Sequence, residues 1–434
     1  MAGKPVRVDV RQLRPGMYVS LGARWLDHSF LFNSFRLSSP AQIAKLRRSG
    51  ITHVDYWPER STTTPLPLPP AGSPAAAPGI PPPVPDAETL VREQTEQAVE
   101  VDERRLRIER VAARRAALAA CEKAYRRSLG AVKSVLAQVF ESPAEAGADA
   151  RSLVDEIVVD LLGNQHALVN LMGDVPTDTG ARHHALNVMI LSLLLGRSVG
   201  LQGEALRLLG LAALLHDLGK VQLPAVVLRA DPSQRNRHEE AAYRQHVEIG
   251  TDLCVQLGLD LPAVLHAVRH HHERMDGGGW PDGLRGEHIP LPTRIVAIAN
   301  RFDRLCHASD PRRSMTPSEA LAHLYRNESG AFDAALLARF VKSLGVWPPG
   351  SLVLLSNGTT GLVTSVAPED TMRPTVLVGD LSVPRAEAMF VDLREASDVK
   401  VLRALRPAEV DPALLAYLSP RTAVNYYVGV DLAD

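Results

Sequence analysis

Cysteine is scarce in this 434-residue chain, and what little there is forms no pattern. Cys121, Cys254 and Cys306 are far apart, odd in number and without CxxC spacing, which excludes a disulfide framework and a thiolate metal site and fits a reducing cytoplasm. Charge of one sign is also missing. The formal net charge is −1 at pH 7, so the molecule as a whole has no field that would gather a nucleic-acid polymer or an acidic membrane, and any charge that meets phosphate must be local. Long apolar runs are absent too. Met1 to Asp9 contains no apolar signal region, and the longest runs, Leu186 to Leu195 and Leu208 to Leu215, are too short to span a bilayer. The expectation is a soluble, cytoplasmic protein with no membrane partner.

What is present is a hydrophobic content of 45%, enough for at least one large core within two or three domains. Residues 1–60 mix strand-like stretches (Val6 to Val10, Tyr18 to Leu21, Thr52 to Asp55) with a helix that opens at Ser38-Ser39-Pro40 and runs to Gly50, which reads as a small α+β module. Residues 61–86 are rich in Pro, Ala, Thr and Ser and read as a linker. Residues 87–141 have the Ala, Glu, Arg and Leu content of a long charged connecting helix, either a relay or dimerisation element or a plain solvated spacer. From about 150 to 346 apolar residues recur at helical spacing between Gly and Pro breaks, predicting a helical bundle. Residues 350–434 shift to short β-type runs (Leu352 to Leu355, Gly361 to Thr364, Thr375 to Val378) and predict a small β-rich appendage.

The chemistry-bearing residues gather in the bundle, which holds most of the fifteen histidines. The apolar helix Leu206 to Leu215 ends in His216-Asp217-Leu218-Gly219-Lys220, with Gly219 able to take a C-terminal turn and both His216 and Asp217 able to face one pocket. A carboxylate such as Asp217 can bridge two divalent ions, neutral imidazoles can complete the shell of a borderline metal, and Lys220 brings a cation near; phosphodiester hydrolysis needs that set. A lone His-Asp dipeptide is a weak signal and reads first as an ordinary polar helix end. Its neighbours change the reading: Arg182-His183-His184 upstream, then His246-Val-Glu-Ile-Gly250 and His270-His271-His272-Glu273-Arg274-Met-Asp276-Gly-Gly-Gly-Trp280-Pro281-Asp282 downstream.

In these motifs, and in Ile289-Pro290 and Arg294-Ile-Val-Ala-Ile-Ala-Asn300-Arg-Phe-Asp303, the sequence resembles the HD-GYP family of bacterial cyclic-di-GMP phosphodiesterases. Residues 1–55, with Leu13-Arg-Pro-Gly-Met-Tyr-Val19, Trp25-Leu26 and Gly50-Ile-Thr-His-Val54, are similar to a module often found ahead of such domains, which reads as a packing or dimerisation element before a ligand sensor. The resemblance implies a mainly α fold: an HD-type bundle preceded by the small α+β module and followed by the β-rich appendage. It implies metal ligands at His184, His216, Asp217, His246, His271 and His272, with Asp217 bridging. Lys220 would contact the scissile phosphate, and His183 and His270, one place early in the pattern, would support neighbouring ligands. It further implies two divalent transition metal ions, Fe or Mn ahead of Ni or Zn; cyclic-di-GMP or a related cyclic dinucleotide as substrate; GGDEF-type signalling proteins at the Gly-Trp-Pro loop; and a homodimer as a compatible assembly.

The chain departs from the pattern at four places. The metal-binding Asp of the last motif is Asn300, which can coordinate through its carbonyl oxygen but adds no charge. Asp303 nearby reads as a structural residue. The position one turn before His184, Glu in members with three metals, is Gly180, so a dinuclear site or a mononuclear remnant follows. Gly-Tyr-Pro is Gly279-Trp280-Pro281, whose ring can still stack on a base or a partner. An Arg-Pro-Tyr segment with a following basic residue reads Ser309-Asp310-Pro311-Arg312-Arg313, leaving Arg312 as the candidate phosphate contact or, equally, part of a solvated basic loop. Two functions follow: a hydrolase releasing pGpG or GMP, favoured because the other six liganding positions are intact, or a degenerate module that binds nucleotide or protein without turnover. A generic HD nucleotide phosphohydrolase leaves the Gly-Trp-Pro loop unexplained.

Overall fold

The computed structural model describes residues 5–21, 32–67, 105, 109, 112–113, 116, 119–163, 167–171, 180–231, 234–308, 310, 313–367, 370–385, 388–396, 398–418 and 426–430. Most of the Pro-rich linker, the first part of the charged helix, Trp25-Leu26 and Arg312 lie outside the described residues. The chain divides into two compact units.

One unit gathers residues 1–115, 352–362 and 376–419. In it β1 (Val6–Asp9), β2 (Tyr18–Ser20), β3 (Ser34–Arg36) and β4 (His53–Tyr56) form an antiparallel sheet in the order β1-β4-β2-β3. Alternation sorts its faces: Val54 and Tyr56 of β4 are buried while His53 and Asp55 between them are not. Helix α1 (Pro40–Arg48) starts where the sequence asks it to, with the Ser39 hydroxyl accepting from Gln42 N and Pro40 in the first turn, and it buries Ile43 and Leu46. The C-terminal strand Leu352–Leu355 lies in the same unit. Arg36 N donates to Asn357 O at 2.8 Å, the Thr359 hydroxyl to Ser34 O at 3.2 Å and Arg60 to Gly358 O at 3.2 Å. The N-terminal module thus shares one unit with residues 352–362 and 376–419 of the β-rich C-terminal segment, a pairing that local sequence patterns do not contain.

The other unit comprises residues 116–351, 363–375 and 420–434. Among the described residues its helices are α2 (residues 119–138), α3 (Pro143–Gly163), α4 (Gly180–Ser198), α5 (Gly203–Leu215), α6 (Ala225–Arg229), α7 (Arg237–Arg244), α8 (His246–Gln256), α9 (Pro262–His270), α10 (Leu291–Cys306), α11 (Pro317–Asn327) and α12 (Ala334–Leu344). Helix α4 is the hub, buried on all sides from Ala185 to Leu193, and α5 and α10 pack against it. Each fully buried Leu, Ile or Val of this core contributes about 1.5–3 kcal/mol relative to exposure. In α2, Tyr125, Val132 and Val135 are buried at spacings of seven and three, so this end of the charged helix packs as a wall of the bundle. Residues Ala167–Leu171 form a strand inside the stretch whose spacing predicted helices, paired with Tyr426–Val430. Among the described residues no helix is long and apolar enough to cross a membrane.

Candidate metal centre

The centre forms where four helix ends meet. Helix α5 ends at Leu215, His216 is its C-cap, and Asp217 leads into a 3-10 turn over Leu218–Gln222. Gly219 lies inside that right-handed turn, so it does not serve the left-handed cap suggested by its place after the helix; its role is close approach. A Cβ there would sit 2.0 Å from His246 O and 2.6 Å from Gly250 N. The two glycines of His-Asp-Leu-Gly and His-Val-Glu-Ile-Gly therefore seat the turn against α8, bringing Asp217 beside His246.

One local device aims three of the histidines. His216, His246 and His271 each hold Nδ1 against the carbonyl three residues earlier, Ala213 O at 2.7 Å, Tyr243 O at 2.6 Å and Val268 O at 2.9 Å. A carbonyl can only accept, so Nδ1 carries the proton and each Nε2 turns a lone pair into the pocket. Asp217 Oδ1 lies 3.4 Å from His246 Nε2 and 3.6 Å from His271 Nε2, and His272 joins this group, all donor atoms within 4.8 Å of one another. Asp217 Oδ2 faces the other way, 3.3 Å from His184 Nε2 and 3.4 Å from His216 Nε2. It also meets the Lys220 ammonium and, at 3.1 Å, the Arg304 guanidinium.

Burial sets the charge state. Desolvation pushes His216 down to about 4 and His246 to about 2, with Asp217 pulling the other way, and it holds His271 below and His272 well below the ordinary imidazole value. For Asp217 burial alone would raise the carboxyl, but Lys220, His216 and Arg304 outweigh it and keep it well below the usual carboxylate range. Neutral imidazoles around an ionised carboxylate are a metal-ligand set. The residues fit such an ion: Asp217 Oδ1 and the Nε2 atoms of His246, His271 and His272 are buried, point at one another and have no hydrogen-bond partner among the described residues. Buried polar atoms left in that state are costly unless something binds them.

The structure brings His184, His216, Asp217, Lys220, His246, His271 and His272 together. Asn300 is buried in the wall of the same pocket, but its carbonyl oxygen accepts from Arg304 Nε at 2.8 Å. Trp280 stacks on His272, ring centroids 4.1 Å apart and planes 18° from parallel, so its ring braces this imidazole. His270 stands apart from the cluster and bonds Asp282 at 2.8 Å, tying down the loop that carries Trp280. His183 is also outside the cluster, 6.3 Å from the Tyr125 ring.

Two residues escaped the sequence reading. Glu273 accepts from the backbone N–H of Asp282 at 2.7 Å, Gly283 at 2.9 Å and Leu284 at 3.0 Å, and so folds the Gly-Trp-Pro loop back over the site. Gly279 permits the same fold, since a Cβ there would lie 2.4 Å from Glu273 Cα. Arg304 is the second; its only sequence signal is its place one helical turn after Asn300.

This bundle, with a His-Asp pair at a helix end and histidines from the neighbouring helices, defines an HD-type metal phosphohydrolase domain. Residues 167–336 match the family model described as HD domain, and residues 6–150 match a domain of unknown function, DUF3391. A Pseudomonas aeruginosa protein named cyclic di-GMP phosphodiesterase PA4108 is 31% identical, over 93% of this chain and 92% of its own length. The Xanthomonas campestris cyclic di-GMP phosphodiesterase response regulator RpfG is 40% identical over 32% of this chain and 37% of its own, and a Vibrio cholerae 3'3'-cGAMP-specific phosphodiesterase is 34% identical over 33% of each. The chain belongs to the HD-GYP family of cyclic-di-GMP phosphodiesterases.

Proposed function

We propose that this protein is a metal-dependent phosphodiesterase that hydrolyses cyclic-di-GMP to pGpG, and by a second cleavage to GMP, in bacterial second-messenger signalling. The observation that carries the reading is the buried, unpartnered set of Asp217 Oδ1 and the Nε2 atoms of His246, His271 and His272. These four would hold a divalent transition ion, Fe or Mn ahead of Ni or Zn, and the bound ion would supply Lewis acidity toward water and phosphate. His184 and His216 share Asp217 with them, which is the basis of the two-ion expectation. A relative that aligns along nearly its whole length and is named for cyclic di-GMP supports that substrate.

Hydrolysis breaks one P–O3′ bond; the water oxygen joins phosphorus and a proton ends on the released O3′. Lys220 and Arg304 both reach Asp217 Oδ2 and both are partly exposed, so their N–H groups can also meet a phosphate oxygen on which charge builds. Trp280, half-buried and stacked on His272, would offer the rest of its ring to a base or to a GGDEF-type partner. Arg312 is proposed as a further phosphate contact on its sequence position alone. The three buried cysteines form no disulfide among the described residues, which supports a cytoplasmic location.

The test is turnover of cyclic-di-GMP by protein reconstituted with Mn2+ or Fe2+. Hydrolysis should vanish with a chelator and return with the ion, and His271→Ala or Asp217→Ala should remove both metal and turnover. Wild-type rates in Asp217→Ala would end this reading.

A further inference from the structure

We infer that Arg304, anchored by Asn300, occupies the second cation position of this centre, so that the chain binds one metal ion and uses a guanidinium as the other positive charge. The inference rests on the metal-dependent reading of the same site. It starts from the unequal state of the two Asp217 oxygens. Oδ1 and the three Nε2 atoms around it are without hydrogen-bond partners. Oδ2 is saturated: it meets the Lys220 ammonium and the Arg304 guanidinium, the latter at 3.1 Å.

His184 Nε2 and His216 Nε2 lie 3.1 Å apart on this side of Asp217. The other side-chain oxygen here is engaged as well. Asn300 Oδ1 accepts from Arg304 Nε at 2.8 Å, so a single planar guanidinium binds both side-chain oxygens, of Asn300 and of Asp217, that could serve a metal there. An oxygen lone pair given to an N–H is not free for a cation, and the guanidinium stays charged at any ordinary pH. Charge gives the same answer. Asp217 contributes −1 and Asp303 behind His184 another −1 against +1 each from Lys220 and Arg304, and Asn300 adds nothing, so the charges on this side already balance without a second divalent ion.

Helix geometry makes the exchange possible. Asn300 and Arg304 are one turn apart on α10, so the amide oxygen lies beside the stem of the arginine and aims its fork at Asp217. Restoring a carboxylate at position 300 alone would strengthen the bond to Arg304 rather than free the site. Only removal of the guanidinium together with the gain of a carboxylate should reopen it.

The experiment counts metal. Wild type, Asn300→Asp, Arg304→Ala and the double variant Asn300→Asp/Arg304→Ala are stripped, reconstituted with excess Mn2+ and desalted; ions per chain are measured by elemental analysis and the ion environment by electron paramagnetic resonance. One ion per chain with an isolated Mn2+ spectrum is expected in wild type and in Asn300→Asp, and two ions with an exchange-coupled spectrum in the double variant. Two ions in wild type, two in Asn300→Asp, or one in a folded double variant would overturn the inference. No ion in wild type would overturn the metal-dependent reading itself, and the inference with it. Unfolding midpoints establish that the double variant is folded; if it is not, Asn300→Asp/Arg304→Gln, which keeps side-chain bulk without charge, replaces it under the same criteria.

Discussion

His184 Nδ1 lies 2.6 Å from Asp303 Oδ2, and this one buried carboxylate joins α4 to α10. It also accepts from Asn187 Nδ2 at 2.9 Å and meets His307 Nδ1 at 3.1 Å. Burial alone would raise the Asp303 carboxyl; His307 and His184 outweigh that and hold it far below the usual range. Asp303→Ala would strand several buried polar groups at once. The expected cost is about 3–5 kcal/mol, as for breaking a buried pair by removing one partner, with a smaller loss for Asp303→Asn, which keeps an acceptor. Urea unfolding of the metal-free protein measures both. Equal losses would mean that the charge contributes nothing.

A methyl group at position 219 should act at a distance. Because its Cβ would stand 2.0 Å from a backbone oxygen of α8, the turn and the helix must separate, and His246 moves with the helix. Gly219→Ala is expected to cost about 1–3 kcal/mol through overpacking and to lower metal content in the same step. Gly250→Ala meets its nearest atom, Val268 Cγ1, at 3.1 Å and should be milder. Thermal unfolding with metal analysis checks the order; a Gly219→Ala protein with full metal content would show that the seam does not set the position of His246.

These cases mark what a sequence can carry. The bundle was legible because apolar residues in α4, α5 and α10 repeat at helical spacing, and the donor set because most of its histidines sit at helix ends, where local order alone brings out their pattern. Gly219 was legible as important but for a different reason, since close approach to α8 depends on a partner that periodicity does not reveal. Arg304 was not legible: its meaning comes from Asp217, 87 residues away. Glu273 was hidden because its partners are backbone N–H groups, which every residue has. The union of the N-terminal module with residues 352–362 and 376–419 in one unit rests on pairs such as Thr359 with Ser34, 325 positions apart.

Asp333 offers a pH test away from the metal. Its carboxylate caps α12 by accepting from Ala335 N at 3.0 Å and Leu336 N at 3.1 Å, and it pairs with Arg294 at 2.8 Å. Burial would raise its carboxyl, but these bonds and the Arg294 charge hold it below the ordinary value of 3.8. A folded-state value lower than the unfolded one gives stability that is present above pH 3.8 and is lost as pH falls below it toward the depressed value. Asp333→Asn keeps a capping oxygen and loses the charge, so it should be less stable at neutral pH, by about 1 kcal/mol, and should show a flatter fall in acid. Parallel acid dependences of the two proteins in chemical unfolding would refute the assignment.

The Trp280 ring braces His272, and aromatic substitutions can part that duty from the proposed contact with substrate. Stacking at 4.1 Å fixes the imidazole plane of His272 and, with the T-shaped contact to His246 at 5.6 Å, closes one side of the ligand set. Trp280→Ala opens that side, so metal affinity should fall, by about 10–100-fold if the brace acts as the groups that orient metal ligands generally do. Trp280→Tyr retains a ring that can stack on His272 and should keep metal affinity within a few-fold. If the ring also stacks on a guanine, the smaller tyrosine should raise the KM for cyclic-di-GMP while kcat holds, because stacking energy of about 1–3 kcal/mol per base scales with ring area and acts on binding. Metal titration by chelator competition and steady-state kinetics on the metal-saturated variants separate the two. A Trp280→Ala protein that binds metal like wild type but loses substrate affinity would assign the ring to substrate alone, and the reverse pattern would assign it to His272.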